Sequence, residues 1–89
     1  MIQKQVAIIN KLGLHARAAS KFVTATSAYT SQVKVCFNGR EVDGKSIMAV
    51  MMLAAGQGST LDLTFDGEDE NEACEALSTL ISNYFDEGE

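Results

Sequence analysis

Apolar and polar residues alternate in four short stretches of the chain, a pattern typical of strands with one buried face. The predicted strands cover residues 5–9, 33–37, 40–42 and 61–66. Asn38 and Gly39 lie between the second and the third of these strands. Because Asn-Gly favours a tight two-residue turn, these two strands are predicted to pair as a hairpin.

Three other stretches repeat apolar residues every three or four positions, which predicts amphipathic helices. The first helix covers residues 16–28, and the second covers residues 47–54 with Ser46 as its N-cap. Asp69 and Glu72 have the spacing of a capping box, so the third helix is predicted to begin at Asp69. The side chains predicted to face the core are Ala19, Phe22, Val23 and Thr26 in the first helix, Val50 and Leu53 in the second, and Ala73, Leu77, Leu80, Ile81 and Tyr84 in the third.

The resulting element order is βαββαβα, which places the chain in the α+β class. Strands that alternate in polarity bury one face of a sheet, so the amphipathic helices are expected to cover that face. The sequence therefore predicts an open-faced sandwich, with a four-stranded antiparallel sheet and three helices on one side. A chain of 89 residues can bury one core but not two, so residues 1–89 are predicted to form a single domain.

Charge is divided unevenly along the chain, although the net charge is only −5. All seven basic residues precede residue 46, whereas ten of the twelve acidic residues lie at position 62 or later. Nucleic acid is excluded as a partner because the acidic half would repel phosphates. The basic residues around positions 11–21 and 45 could form a face for an acidic partner or a phosphate. The charge pattern alone favours a plainer interpretation, in which residues 68–75 are the solvated start of a helix.

Cys36 and Cys74 have neither metal-ligand spacing nor the density of a disulfide scaffold. They are interpreted as small, buried or half-buried residues. The chain opens directly into an alternating pattern, and no apolar stretch is long enough to cross a bilayer. We therefore expect a cytoplasmic protein without membrane insertion, metal or cofactor.

The residues that carry chemistry lie at the start of the first predicted helix. His15, the only histidine, stands between a glycine-containing loop and the first helical turn. The first backbone N–H groups of a helix have no intrahelical partner, so they can bind an anion such as a phosphoryl group. Arg17 offers a planar fork of donors for phosphate oxygens. A histidine near a helix start is also often a simple cap, so the spacing by itself leaves phosphoryl chemistry and a structural role open.

Two longer segments resemble a known family. The segment Asn-Lys-Leu-Gly-Leu-His-Ala-Arg at residues 10–17 is similar to the active-site segment of HPr, the bacterial phosphotransferase-system carrier, and of its nitrogen-related paralogue NPr. Residues 42–58, with Gly-Lys-Ser-Ile-Met at their centre, resemble the second characteristic block of that family. The predicted element order also matches the family fold, so the resemblance covers essentially the whole chain.

The resemblance implies a phosphocarrier. In this family Enzyme I, itself phosphorylated by phosphoenolpyruvate, passes the phosphoryl group to Nδ1 of the carrier histidine, and the carrier passes it to an EIIA-type protein. This assigns the phosphorylated position to His15 and the phosphate clamp to Arg17 and the backbone amides at Ala16, Arg17 and Ala18. Such a relay component is not a stand-alone enzyme. Two alternatives stay open: a regulatory module of the same fold that transfers nothing onward, and a generic α+β domain in which His15 is incidental.

Ala18 departs from the family pattern, which usually has proline after the arginine. Alanine is the best helix former, so the start of the helix is expected to survive this change. The His-Ala-Arg-Ala segment, together with the tail at residues 84–89, looks most like the NPr branch and its close HPr relatives.

The second predicted helix adds a regulatory and a docking hypothesis. In relatives that have an HPr kinase/phosphorylase, the serine that matches Ser46 is phosphorylated for regulation. A short helix cannot bury every face, so some of its apolar residues are expected to be exposed and to dock partners. The predicted docking patch consists of Ile47, Met48, Met51 and Met52, rimmed by Lys11, Arg17, Lys21 and Lys45. A monomer is expected, because a carrier must free its face for each partner.

Overall fold

The computed structural model describes residues 1–86. Four strands and three helices follow one another in the predicted order, and a short 3₁₀ turn follows the last helix. The strands are β1 (Ile2–Ala7), β2 (Gln32–Phe37), β3 (Arg40–Asp43) and β4 (Thr60–Asp66). The helices are α1 (Ala16–Ser27), α2 (Ile47–Met52) and α3 (Glu70–Ser82), and the 3₁₀ turn covers Tyr84–Asp86.

The four strands form one antiparallel sheet in the order β1-β4-β2-β3. The last strand of the sequence therefore lies in the interior of the sheet, between β1 and β2. Asn38 and Gly39 both have positive φ, 53° and 77°, and close the predicted β2–β3 hairpin. Sheet register places Val35 beside Leu63, and both side chains are fully buried beneath the helices.

The three helices pack on one face of this sheet, so the predicted open-faced α+β sandwich is confirmed. The core lies between the two layers. Its largest fully buried apolar side chains come from both layers, from the residue after β1 and from the 3₁₀ turn: Ile8, Phe22, Val33, Val35, Val50, Leu61, Leu63, Phe65, Leu77 and Phe85. The core positions predicted for α1 and α2 are largely confirmed, and Val23 is partly buried.

Two predicted element boundaries were wrong. β1 lies at Ile2–Ala7, because Ile2 pairs with Phe65 and Val6 with Leu61 along the full length of β4. Ile9, predicted as strand, lies beyond this pairing and is exposed. α2 ends at Met52, where Leu53 caps it and Ala54 takes a left-handed φ of 55° that stops helical growth.

The predicted capping box at the start of α3 was also wrong. Asp69 is the N-cap residue, but its side chain makes no capping hydrogen bond. Its carboxylate instead accepts hydrogen bonds from the backbone amides of Thr30 and Ser31, at 2.8 and 2.9 Å. The acidic side chain that binds a nearby backbone amide at the start of α3 is Glu70, which accepts a hydrogen bond from the amide of Gly67 at 3.2 Å.

The end of the apolar stripe of α3 differs from the prediction as well. Ala73, Leu77 and Ile81 are buried, whereas Leu80 is only partly buried and Tyr84 is exposed. Tyr84, Phe85 and Asp86 all have positive φ, so the chain leaves the helical path after α3. This turn places Phe85, rather than Tyr84, in the core with no exposed surface.

Candidate functional site

His15 is the N-cap residue of α1, and its side chain lies directly at the helix N-terminus. Its backbone is extended (φ −73°, ψ 178°), and its carbonyl accepts the first helical hydrogen bond, from the amide of Ala19 at 2.8 Å. Nδ1 of the ring accepts a hydrogen bond from the backbone amide of Arg17 at 3.3 Å. A ring nitrogen that accepts a hydrogen bond carries a lone pair, so Nδ1 is the unprotonated nitrogen in this arrangement.

Gly13 lets the chain reach this position. Its φ of +67° is a left-handed conformation that glycine adopts without a steric penalty. A Cβ atom at Gly13 would lie 2.6 Å from the carbonyl oxygen of Ala55 and 2.7 Å from Cα of Gly56. The next residue, Leu14, donates its amide to the same Ala55 carbonyl at 2.9 Å. The loop before His15 is thus packed directly against the segment that follows α2.

The three residues of the predicted phosphate clamp differ in their exposure to solvent. Ala16 and Arg17 are exposed at the start of α1, next to the partly buried His15. Ala18 has no exposed surface and belongs to the core. α1 begins at Ala16 with alanine at position 18, which confirms the expected helix start.

The predicted docking patch on α2 is only partly at the surface. Met48 and Met52 expose 63% and 60% of their area, and Ile47 exposes 38%. Met51 is partly buried, while Val50 and Leu53 lie in the core as predicted. Ser46 caps the helix as predicted, because its hydroxyl accepts the amide of Ala49 at 3.4 Å. The two most exposed methionines therefore dominate the patch.

Two of the lysines predicted to rim this patch donate to backbone carbonyls. Lys21 donates to the carbonyl of Phe85 at 2.7 Å and thereby ties α1 to the 3₁₀ turn. Lys45 donates to the carbonyl of Tyr29 at 2.7 Å, beyond the C-terminal end of α1. α1 has 12 residues and is about 18 Å long, so Lys45 lies at the end of the helix opposite to His15. Lys11 and Arg17 remain the exposed cations beside the His15 loop.

Two surface residues near the site were missed in the sequence. Leu12 exposes 69% of its area in the loop that precedes His15. Arg40, at the start of β3, donates to the carbonyl of Met52 at 3.5 Å and so places a cation at the C-terminal end of α2. A leucine between Lys11 and Gly13 in a polar loop is a signal of functional exposure. Arg40 gave no such signal, because only the sheet topology brings β3 beside α2.

Within residues 1–86, the structure also bears on metal binding, membrane-spanning helices and the two cysteines. No group of three or more His, Cys, Asp and Glu side chains in this range could hold a metal ion. None of the helices described is both long enough and apolar enough to span a membrane. Cys36 and Cys74 are free and partly buried, as predicted.

A helix N-terminus that presents a histidine nitrogen, mounted on an open-faced βαββαβα sandwich, defines a class of small phosphoacceptor domains. The family model described as the PTS HPr component phosphorylation site matches residues 2–83. This chain therefore belongs to the HPr family of phosphocarrier proteins, as its sequence indicated.

Individual relatives agree with this assignment. The phosphocarrier protein HPr of Cupriavidus necator is 60% identical over 89 residues, and the alignment covers the whole of both chains. The phosphocarrier protein HPr of Pseudomonas aeruginosa is 62% identical over 86 residues, with 96% of each chain covered. A crystal structure of HPr from Thermoanaerobacter tengcongensis superposes with a TM-score of 0.94 at 42% identity and covers 98% of both chains.

Proposed function

We propose that this protein accepts a phosphoryl group on Nδ1 of His15 from phosphorylated Enzyme I and passes it to an EIIA-type protein. The observation that carries the proposal is the hydrogen bond from the amide of Arg17 to Nδ1 of His15. It aims the nitrogen lone pair at the N-terminus of α1, where backbone N–H groups favour an anion.

The chemistry follows from this placement. The Nδ1 lone pair attacks phosphorus, a new N–P bond forms, and the bond between phosphorus and the donor breaks with its electron pair left on the donor. The amide of Arg17 releases Nδ1 for this attack and donates to a phosphoryl oxygen instead, and the amide of Ala16, the first residue of α1, lies beside it. The guanidinium of Arg17 offsets the added charge. Positioning and charge balance of this kind provide most of the catalysis in phosphoryl transfer.

Partner docking is assigned to the surface beside His15. Met48 and Met52 form an exposed apolar patch on α2, and the packing of the His15 loop against Ala55 places it beside the end of α2. Flexible methionines can adapt to more than one partner. Lys11, Arg17 and Arg40 add positive charge, which suits acidic surfaces on Enzyme I and on the acceptor.

The principal alternative is a regulatory module whose phosphorylation state is read by partners without onward transfer. Both functions would use His15, Arg17 and the N-terminus of α1 in the same way. Only the presence or absence of transfer to an acceptor protein distinguishes the relay from the regulatory module. We assign the chain to the NPr branch or a close HPr relative because of Ala18 and the tail, of which residues 87–89 lie outside the described structure. Transfer to a nitrogen-type or a sugar-type EIIA protein distinguishes the two branches.

Ser46 is proposed as a second, regulatory phosphorylation site. Its hydroxyl caps α2 and is partly buried, and the helix N-terminus tolerates a phosphate. An HPr kinase/phosphorylase would be the partner that modifies it. We further propose a cytoplasmic monomer in which residues 1–89 form one domain, without metal or cofactor.

The test is phosphorylation by phosphoenolpyruvate and Enzyme I, with His15→Ala as the diagnostic variant and Thr24→Ala as its control on the exposed side of α1. Intact mass and acid lability identify a phosphohistidine. We expect an acid-labile adduct on the wild type and on Thr24→Ala, and none on His15→Ala. An adduct that persists on His15→Ala would refute the assignment. Onward transfer to an EIIA protein then decides between relay and regulatory module.

A further inference from the structure

One fully buried polar side chain in the loop that precedes His15 has no part in the function proposed above. Asn10 has no exposed surface, and it belongs to the loop between β1 and α1. Its Nδ2 donates a hydrogen bond to the carbonyl oxygen of Gly13 at 2.8 Å. Its own backbone carbonyl accepts the amide of Gly13 at 3.2 Å. Asn10 therefore holds both peptide groups of Gly13.

The orientation of the Asn10 amide is fixed by chemistry. A carbonyl oxygen can only accept, so the NH₂ end of the side chain must face Gly13, and a flipped amide would set two acceptors against each other. This leaves Oδ1 buried without a hydrogen-bond partner in the described structure. A buried polar side chain that satisfies only one of its two ends adds little to folding stability. Orientation of the Gly13 carbonyl accounts better for its presence.

The Gly13–Leu14 peptide that Asn10 holds is the last peptide group before the one that enters His15. Asn10 Nδ2 binds its carbonyl oxygen, while its amide, carried by Leu14, donates to Ala55 at 2.9 Å. This peptide plane is thus fixed at both ends. A rotation of the plane would redirect the backbone entering His15 and displace Nδ1 from the amide of Arg17.

We infer that Asn10 is a positioning residue for phosphoryl transfer: its side-chain amide fixes the Gly13–Leu14 peptide and, through it, the direction in which Nδ1 of His15 points. The inference rests on the proposed function of His15. It assigns Asn10 no contact with the phosphoryl group. It predicts that loss of the Nδ2 donor slows the reaction at His15 without weakening partner docking, since Asn10 is buried whereas Met48 and Met52, the main docking side chains, are exposed.

Two variants remove the donor in different ways. Asn10→Asp keeps the shape but places a carboxylate oxygen against the Gly13 carbonyl, and Asn10→Leu keeps a similar volume without any polar atom. Thr26→Val is the matched control. It removes another fully buried side-chain donor to a backbone carbonyl, the 2.8 Å hydrogen bond from Thr26 to Gly44, but next to the C-terminal end of α1.

Each protein is phosphorylated with two donors, phosphorylated Enzyme I and the small donor phosphoramidate, and the Arg17 amide resonance is followed by NMR. We expect both Asn10 variants to lose about 10-fold in rate, or more, with either donor. With Enzyme I the loss should lie in the rate at saturation and leave KM unchanged. The Arg17 amide should shift in the Asn10 variants and stay in place in Thr26→Val, whose rate should match the wild type.

Wild-type rates in both Asn10 variants would overturn the inference, as would a change confined to KM. So would a loss of rate in Thr26→Val as large as that in the Asn10 variants, because the effect would then be one of general stability. Wild-type protein that accepts no phosphoryl group from either donor is a different result. That outcome would refute the proposed function itself and, with it, the role of Asn10.

Discussion

The carboxylate of Asp69 accepts hydrogen bonds from both the backbone amide and the hydroxyl of Ser31. Together with the amide of Thr30, these donors tie the start of α3 to the start of β2. Gly67 also packs tightly at this corner between α3 and β2, because a Cβ atom there would lie 2.6 Å from Cα of Ser31. Thr30 and Ser31 follow the C-terminal end of α1, which is the end opposite to His15, so the interactions of this corner serve the fold and not the site.

Asp69 should make folding stability depend on pH in the acid range. The Ser31 hydroxyl and the amides of Thr30 and Ser31 lower the pKa of the carboxyl from 3.8 to about 2. A group whose pKa is depressed in the folded state stabilises the fold above its unfolded pKa and loses that contribution as pH falls. The free energy of unfolding of the wild type, measured in urea, should therefore decrease as the pH falls from about 4 to about 2. Asp69→Asn should be less stable at pH 7 and lack this component.

Glu75→Gln is the control for that measurement, because Glu75 is an exposed acid of the same helix. It should follow the pH profile of the wild type. A profile for Asp69→Asn that parallels the wild type between pH 4 and pH 2 would contradict the role assigned to the Asp69 carboxylate.

Gly13→Ala should disrupt the His15 loop. The substitution is disfavoured twice, by the φ of +67° and by a Cβ placed 2.6 Å from the backbone oxygen of Ala55. Gly39→Ala is the matched control, since Gly39 has a φ of +77° but nothing within 4 Å of the added Cβ. Gly39→Ala should lower the free energy of unfolding by about 1–2 kcal/mol because of its backbone conformation. Gly13→Ala should cost at least about 1 kcal/mol more and lower phosphorylation of His15.

Chemical denaturation and the phosphorylation assay measure these two effects. Equal losses of stability in the two glycine variants would show that the contact with Ala55 does not restrain the loop.

Substitutions at Ser46 should separate its structural role from its regulatory one. Ser46→Ala removes the cap on the amide of Ala49 and should cost about 0.5–1 kcal/mol, with little effect on transfer from Enzyme I. Ser46→Asp retains a capping oxygen, so stability should be close to that of the wild type. Its added negative charge at the docking surface should raise the KM for Enzyme I. Unchanged transfer by Ser46→Asp would refute the regulatory hypothesis.

Met48 and Met52 should contribute to docking rather than to folding. Both expose more than half of their area, so replacement by glutamine, which has a similar length, should change stability by less than about 0.5 kcal/mol. Loss of apolar contact should raise the KM for Enzyme I several-fold while the rate at saturation persists. Leucine at the same two positions should retain docking. Glutamine variants with a wild-type KM would exclude this surface of α2 from the interface.

Short-range patterns in the sequence predicted most of the fold. The β2–β3 hairpin and the N-cap role of Ser46 depend on residues within a few positions of each other, so local chemistry is sufficient to assign them. The location of the candidate site was also predicted from a short-range pattern. His15 next to a helix start can be identified from the sequence because the cap and the helix are adjacent.

Several of the errors concern charged side chains for which both local and distant hydrogen-bond partners exist. Asp69 has the spacing of a capping box, yet its carboxylate accepts hydrogen bonds from the amides of Thr30 and Ser31, which the fold brings to the start of α3. Lys21 and Lys45 occupy positions expected to be exposed, but each reaches a carbonyl that only folding brings near. No local pattern distinguishes these outcomes, because the competing partners are distant in sequence.

The order of the elements, the position of His15 at a helix start and the family membership of the chain all follow from its sequence. These properties reside in the periodicity of apolar residues and in short contiguous segments. The fold, by contrast, set which residues of the site are open to solvent: it exposed Ala16 and Arg17, buried Ala18, and packed Gly13 against Ala55. It also buried Asn10 against the Gly13 carbonyl. The physical reason is that burial depends on how the helices and loops pack over the sheet, which no single segment contains.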